Sequence, residues 1–133
     1  MEQIYGYARV STKEQNEARQ LTALREMGIP SENVYLDKQS GADFERVQYR
    51  RMLRRLGSGD TLIVKSIDRL GRNYTEILEQ WRIITKNKRA AIVILDMPLL
   101  DTHQNRDLTG TLIADIVLQL LLKACAFQNS LWR

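Results

Sequence analysis

The stretch AAIVILD, residues 90–96, decides the fold. It runs from Ala90 to Leu95 without a polar residue and closes on Asp96. A strand with one wet face alternates apolar and polar residues. An unbroken apolar run of this length reads as a strand covered on both faces, as in parallel sheets lying between layers of helix. The residues upstream supply those layers. Residues 73–88 carry a helical stripe through Ile77, Leu78, Trp81 and Ile84, and TLIVKS (61–66) is a second apolar strand entered through the turn GSGD. Residues 45–57 read as a helix with Tyr49, Met52, Leu53 and Leu56 on one face. Before it come the polar loop KQSGADF and the short strand NVYLD (33–37). KEQNEARQLTALREMG is a helix that places Ala18, Leu21, Leu24 and Met27 together and stops at Gly28, and QIYGYARV (3–10) is the first strand. Strands alternating with helices imply βαβ units. The expected fold class is α/β: an open, mainly parallel β-sheet of four to five strands, with right-handed crossovers putting helices on both faces.

The chain has 133 residues, enough for one domain with a real core, and its apolar fraction of 44% is that of a globular protein. Its one cysteine, Cys125, excludes an intramolecular disulfide and suits a reducing compartment. The start, MEQIYGYARV, lacks the apolar run of a secretory signal. The net charge of +4 is unevenly spread. Between Arg46 and Arg72 stand eight basic residues (Arg46, Arg50, Arg51, Arg54, Arg55, Lys65, Arg69 and Arg72) against two acids, Asp60 and Asp68. That segment carries +6, leaving −2 for the rest. Such a concentration fits a polyanionic partner or a solvated helix face.

In open sheets of this class, chemistry collects beyond the carboxyl ends of the strands. Tyr7, Arg9 and Ser11 alternate along the first strand and project to one side. A charged Arg9 there needs a partner. Ser11 has two readings, since STKE is a capping box and a helix cap needs no further purpose. The cap reading leaves Arg9 unexplained. The second cluster is DRLGR (68–72), where Arg69 and Arg72 share a side and directly follow a strand end. Guanidinium groups converging on a hydroxyl suit bidentate phosphate binding and stabilisation of charge in phosphoryl transfer. His103, the only histidine, falls in the polar loop DTHQNRD, and one histidine with one cysteine makes no zinc site. Neither a GxxxxGK[ST] loop nor a GxGxxG element is present, so nucleotide and dinucleotide chemistry have no support and no cofactor is expected. A flavodoxin-like receiver would carry paired acids at the end of the first strand, where this chain has Arg9 and Ser11.

YGYARVSTKEQ together with VKSIDRLGRN resembles the catalytic domain of serine site-specific recombinases, the resolvase/invertase family, and YLDKQSGADFER fits that family's intervening loop. The resemblance runs from about residue 3 to about residue 121. It implies that Ser11 attacks the DNA backbone, forms a 5′-phosphoseryl link and releases a 3′ hydroxyl without ATP. Strands are then exchanged within a tetramer and religated. Carried over, Arg9 binds the scissile phosphate, Arg69 and Arg72 complete a cationic cradle, and Asp68 positions an arginine or assists proton transfer. Arg46 sits on a mobile segment and swings in only in the active tetramer. Tyr7, Gln15, Gln20, Asp37 and Ser40 support the site; Arg55 and Lys65 contact DNA or the periphery. The implied partners are double-stranded DNA and copies of the chain as dimer and tetramer, with no membrane and no nucleotide. The implied setting is the prokaryotic cytoplasm, at the nucleoid.

Residues 1–107 form the α/β core of this single domain, and 108–133 a C-terminal oligomerisation helix with an atypical tail. In LTGTLIADIVLQLLLKACAF, the residues Leu112, Ile113, Ile116, Val117, Leu120, Leu121 and Ala124 make one stripe, widened by Leu118, Leu122 and Cys125. Asp115, Gln119 and Lys123 form a narrow polar strip, which argues against a membrane span. The helix is expected to pack on its own domain and on a second copy. After about residue 121 the chain departs from the family pattern, reading LKACAFQNSLWR where a charged continuation and a helix-turn-helix domain are expected. A truncated gene with a shifted reading frame, or an otherwise altered end, accounts for that. The alternative to an active recombinase is a relative that only dimerises.

Overall fold

The computed structural model describes residues 2–11, 17–39, 46–71, 73–96, 115–116 and 118–120, and at Ser11, Glu17, Gln39 and Tyr74 the backbone only. The strands are β1 (Ile4–Ser11), β2 (Val34–Gln39), β3 (Thr61–Val64) and β4 (Ala91–Ile94). They form one four-stranded sheet, ordered β2-β1-β3-β4, with every pair parallel. The helices are α1 (Glu17–Arg25), α2 (Val47–Arg55) and α3 (Tyr74–Arg82), the last continuing into a π-helical turn, Ile83–Asn87. The expected α/β class with a parallel sheet is what the chain adopts.

Strand alternation sorts the core into two layers. Tyr5, Tyr7, Tyr35, Leu62, Val64, Ile92 and Ile94 pack with Tyr49 and Met52 of α2, with Leu56 just after it, and with Ile77 and Trp81 of α3. Ala8 and Ile63 face the other way, onto Leu24 and Ile29, with Val34, Leu36 and Val93 packed alongside. The AAIVILD strand is therefore covered on both sides. β1 connects to β2 through α1 on one face, whereas β2 returns past β1 to β3 through α2 on the opposite face. The direction of winding thus reverses between β1 and β3, and the carboxyl ends of these two strands open a crevice.

Three local expectations need correction. β2 does not end at Asp37: Lys38 and Gln39 continue the ladder opposite Val10 and Ser11, because β1 offers edge groups to pair with. The helix expected over 73–88 closes as a wider turn, in which Lys88 and Ala90 donate backbone bonds to Ile83 and Ile84. On α1, Leu24 is buried but Ala18 is exposed, as is Met27 just beyond the helix, and the buried partner one turn before Leu24 is Gln20. The helix is rotated towards Gln20 because that side chain has a carbonyl to bond.

Within the C-terminal segment, 115–116 and 118–120 are helical. Leu118 enters the core, and the Trp81 indole N–H donates to Asp115 Oδ1 at 2.6 Å, with Lys86 Nζ 3.0 Å from Asp115 Oδ2. The polar strip thus begins against α3, while Ile116 and Leu120 of the main stripe are 50% and 64% exposed. The remainder of the expected 108–133 helix, with Cys125 and the tail, lies outside the described residues, as does His103. No described helix is long and apolar enough to cross a membrane.

Candidate active site

Arg9 leaves the carboxyl end of β1, and the segment after β3 turns in a 3₁₀ helix, Ile67–Arg69, directly across the crevice. Arg9 Nη2 donates to the Asp68 carbonyl at 2.9 Å. Arg46, at the N-cap of α2, comes to the same turn from the other side: Nη2 donates to the Arg69 carbonyl at 3.1 Å, and Nη1 to the Leu70 carbonyl at 2.6 Å and to Glu76 Oε1 at 3.3 Å. Three consecutive carbonyls, of Asp68, Arg69 and Leu70, therefore dock two guanidinium groups. The turn also carries Arg69, whose Nε is buried and has no hydrogen-bond partner among the described residues.

Local sequence explains the turn. Gly71 has no room for a side chain: a Cβ there would stand 2.9 Å from the backbone nitrogen of Ile77. Only glycine lets the first turn of α3 close so tightly on the DRLG segment. Asn73 then caps α3, its side chain accepting from the Glu76 N–H at 2.9 Å, which leaves the Glu76 carboxylate facing Arg46. Asp68 has its carboxylate outward, where Oδ1 accepts from Ser66 Oγ at 2.5 Å.

Asp37 organises the second wall. It is 5% exposed and accepts three hydrogen bonds: the Tyr7 hydroxyl at 2.8 Å, the Gln48 N–H at 2.9 Å and the Tyr49 N–H at 3.1 Å. A carboxylate on two free N–H groups satisfies the start of α2 and complements its positive end, and this sets where Arg46 begins. Gln20 reaches from α1, its Nε2 donating to the Arg9 carbonyl at 3.3 Å.

Burial pushes the Tyr7 and Tyr49 hydroxyls well above their ordinary pKa of 10.0, more than the nearby Arg46 pulls them down, so both are neutral donors. Burial also lowers the Arg9 pKa; the nearby Tyr7 opposes this, while Arg46 and Arg69 add to it by repulsion. A guanidinium starts high enough to remain charged. The site is a partly desolvated cluster of cations.

The structure brings together Tyr7, Arg9, Gln20, Asp37, Arg46, Asp68 and Arg69. Ser11 has its backbone at the last position of β1, two residues beyond Arg9, paired with Gln39. The Ser11 side chain, and Gln15, Ser40 and Arg72 entirely, lie outside the described residues. Arg46 is buried, 5% exposed, and held by the turn. Arg55 is elsewhere. It sits at the far end of α2, with Nη1 2.5 Å from the Tyr35 hydroxyl and its guanidinium over the Tyr5 ring, four residues before Arg9 on β1. Lys65 keeps to the crevice rim, 3.2 Å from Asp96. Sequence reasoning missed Tyr49, Glu76 and Gln80, which read as an ordinary apolar stripe and ordinary helix polarity.

Fold and site together define a parallel α/β domain with a cluster of arginines at its winding reversal. A family model described as Resolvase, N-terminal domain, matches residues 4–120, and the chain belongs to this family. It is 36% identical over 76 residues to a transposon Tn3 resolvase of Escherichia coli, an alignment covering 57% of this chain and 41% of that protein. It is 45% identical over 75 residues to a DNA-invertase of Enterobacteria phage P7, covering 56% and 39% respectively. The matched stretch is thus well under half of either relative's length. Among solved structures, the N-terminal catalytic domain of TP901-1 integrase superposes with a TM-score of 0.66 at 22% identity, over 96% of this chain and 99% of that one; this likeness is one of fold.

Proposed function

We propose that the chain carries the catalytic centre of a site-specific DNA recombinase, with Ser11 as nucleophile. The observation that supports this best is the row of carbonyls at 68–70, which gathers Arg9 and Arg46 beside Arg69 at the strand end that also bears Ser11. In this reading Ser11 Oγ attacks a backbone phosphorus of double-stranded DNA. The Oγ–P bond forms as the bond from phosphorus to the 3′ oxygen breaks. The serine proton leaves to a base, and the departing 3′ oxygen takes up a proton. Arg9, Arg69 and Arg72 offset the charge that grows on the phosphoryl oxygens. Arg46 completes the cluster from α2. Asp68 positions Arg9 through its carbonyl. Tyr7, Gln20 and Asp37 hold the two walls in register, Gln15 and Ser40 are assigned supporting roles by the family resemblance, and Lys65 contacts DNA at the rim. The 5′-phosphoseryl link conserves the phosphodiester energy, so religation by a 3′ hydroxyl from another strand needs no nucleotide.

Strand exchange requires several copies. The exposed Ile116 and Leu120 lie one turn apart on the helix that Leu118 anchors, and this supports a homodimer face there and a tetramer when two sites are joined. The same face favours a second reading, in which the chain acts only as a dimerisation module. The setting proposed is the prokaryotic cytoplasm, at the nucleoid.

The test is covalent trapping. The full chain, fused to a sequence-specific DNA-binding module, is incubated with nicked duplex that cannot be religated. The expected product is an SDS-stable protein–DNA adduct that Ser11→Ala abolishes. No adduct from the parent, while a full-length resolvase reacts in parallel, would leave the dimerisation reading in its place.

A further inference from the structure

We infer that Tyr49 is the positioning residue for Arg46, an aromatic platform that sets the plane of its guanidinium and ties it to α3. The inference rests on the recombinase reading for its catalytic consequence, and on geometry alone for the placement.

The guanidinium carbon of Arg46 lies 3.6 Å from the centre of the Tyr49 ring, and 5.6 Å from that of Tyr7. The two rings meet edge to face, 5.0 Å apart at 66°. Residues three apart at the start of a helix lie on one side, so Arg46 and Tyr49 meet without distortion. The hydrogen bonds of Arg46 to the 69–70 carbonyls and Glu76 fix one edge of the group. A planar ion held along an edge still needs a face to rest on, and a buried cation needs compensation for lost water. A ring face supplies both.

Tyr49 is itself fixed from three directions. Its N–H is bound by Asp37, its ring edge meets Tyr7, and its hydroxyl donates to Gln80 Oε1 of α3 at 2.8 Å. It is 2% exposed, and burial keeps it neutral. A leucine at this position would fill space but offer neither the quadrupole nor the tether.

The first measurement is NMR of the arginine side chains in the full chain, with the Arg46 Nε–Hε signal assigned by Arg46→Lys. Ring current from Tyr49 is expected to displace that signal. Tyr49→Leu should return it to the ordinary arginine position, and Tyr49→Phe should retain it. The second is the rate of adduct formation by the DNA-binding fusion. Tyr49→Leu is expected to slow it about tenfold, the size of a desolvated cation–π contact. Tyr49→Phe should restore most of the rate. In an Arg46→Ala background, Tyr49→Leu should add no further loss. An Arg46 signal indifferent to Tyr49→Leu overturns the inference whatever the adduct does. So does an equal loss of rate in both backgrounds, because the ring would then act on the fold. A parent fusion that forms no Ser11-dependent adduct overturns the recombinase reading, and the NMR signal then decides this one alone.

Discussion

Asp37 is the point at which the fold of the site can be broken with a single carboxylate. Asp37→Ala strands three donors: the Tyr7 hydroxyl, on a side chain 0% exposed, and the first free N–H groups of α2 at Gln48 and Tyr49. A hydrogen bond to a charged acceptor is worth about 1.5–3 kcal/mol, and a carboxylate at a helix start adds about 0.3–2 kcal/mol. The three bonds share one group and cannot simply be summed, so the expected loss is about 4 kcal/mol. With a urea slope of about 2 kcal/mol per M, the unfolding midpoint should fall by about 2 M. Asp37→Asn keeps an acceptor for Gln48 but turns an NH₂ towards two donors, and about 2–3 kcal/mol should be lost. Tyr7→Phe provides the internal check. Alone it should cost about 1 kcal/mol, and in the Asp37→Ala background it should cost nothing, since the hydroxyl has already lost its acceptor. A loss under about 1 kcal/mol for Asp37→Ala, or an equal cost of Tyr7→Phe in both backgrounds, would refute the claim that this carboxylate clamps β1 to α2.

Gly71→Ala should lower stability by about 2–3 kcal/mol, because its Cβ meets the Ile77 backbone nitrogen as well as the base of the Glu76 side chain, and the backbone cannot step aside; thermal unfolding of a well-expressed variant reads this directly, and an unchanged midpoint would contradict the close approach. Alkaline pH should also destabilise the protein. Tyr5, Tyr7 and Tyr49 have folded pKa values raised above the unfolded value near 10.0, first of all by burial. Their stability is complete below pH 10 and is lost as pH rises beyond it, because the unfolded chain ionises first. Urea midpoints from pH 8 to 11 should fall at the top of the range, and Tyr7→Phe should flatten the fall.

How much of this was legible beforehand depended on the kind of signal. Apolar runs and stripes are long and redundant, so the strands, the α2 stripe and the parallel class could be read from composition along the chain. The α1 stripe could not, since the burial of Gln20 depends on a carbonyl that β1 presents only once folded. Arg46 shows the same limit more sharply. It follows the polar loop KQSGADF, which gives no sign of burial, whereas its burial follows from partners 23 to 30 residues away, at Arg69, Leu70 and Glu76. Arg55 belongs to the same basic run, yet the pitch of α2 sends it to Tyr35 and Tyr5 at the other end of the sheet. Charge density along a sequence therefore marked a region, and only the helix geometry divided it into a site and a surface.

The choice of carbonyls as docks has a consequence for the charge of the pocket. An arginine can be held by a carboxylate, which is the stronger partner, or by a backbone carbonyl, which is a dipole. A carboxylate would cancel positive potential that, on the proposed reading, serves to bind phosphate; a carbonyl fixes the geometry and leaves the net charge in place. Here Arg9 is docked on the Asp68 carbonyl, and the Asp68 carboxylate accepts from Ser66 while its charge still favours the Arg9 cation. Arg46 is docked on two carbonyls at 2.6 and 3.1 Å, and its described carboxylate contact, Glu76, is the longest of the three at 3.3 Å. The arrangement costs stability, because burial and mutual repulsion both act against Arg9 as a cation. An incoming polyanion would relieve both at once. On the proposed reading, the cationic cluster is held by the 68–70 turn and its charge is offset by the DNA phosphate, so phosphate or sulfate ions should stabilise the chain against unfolding more than chloride does at equal ionic strength.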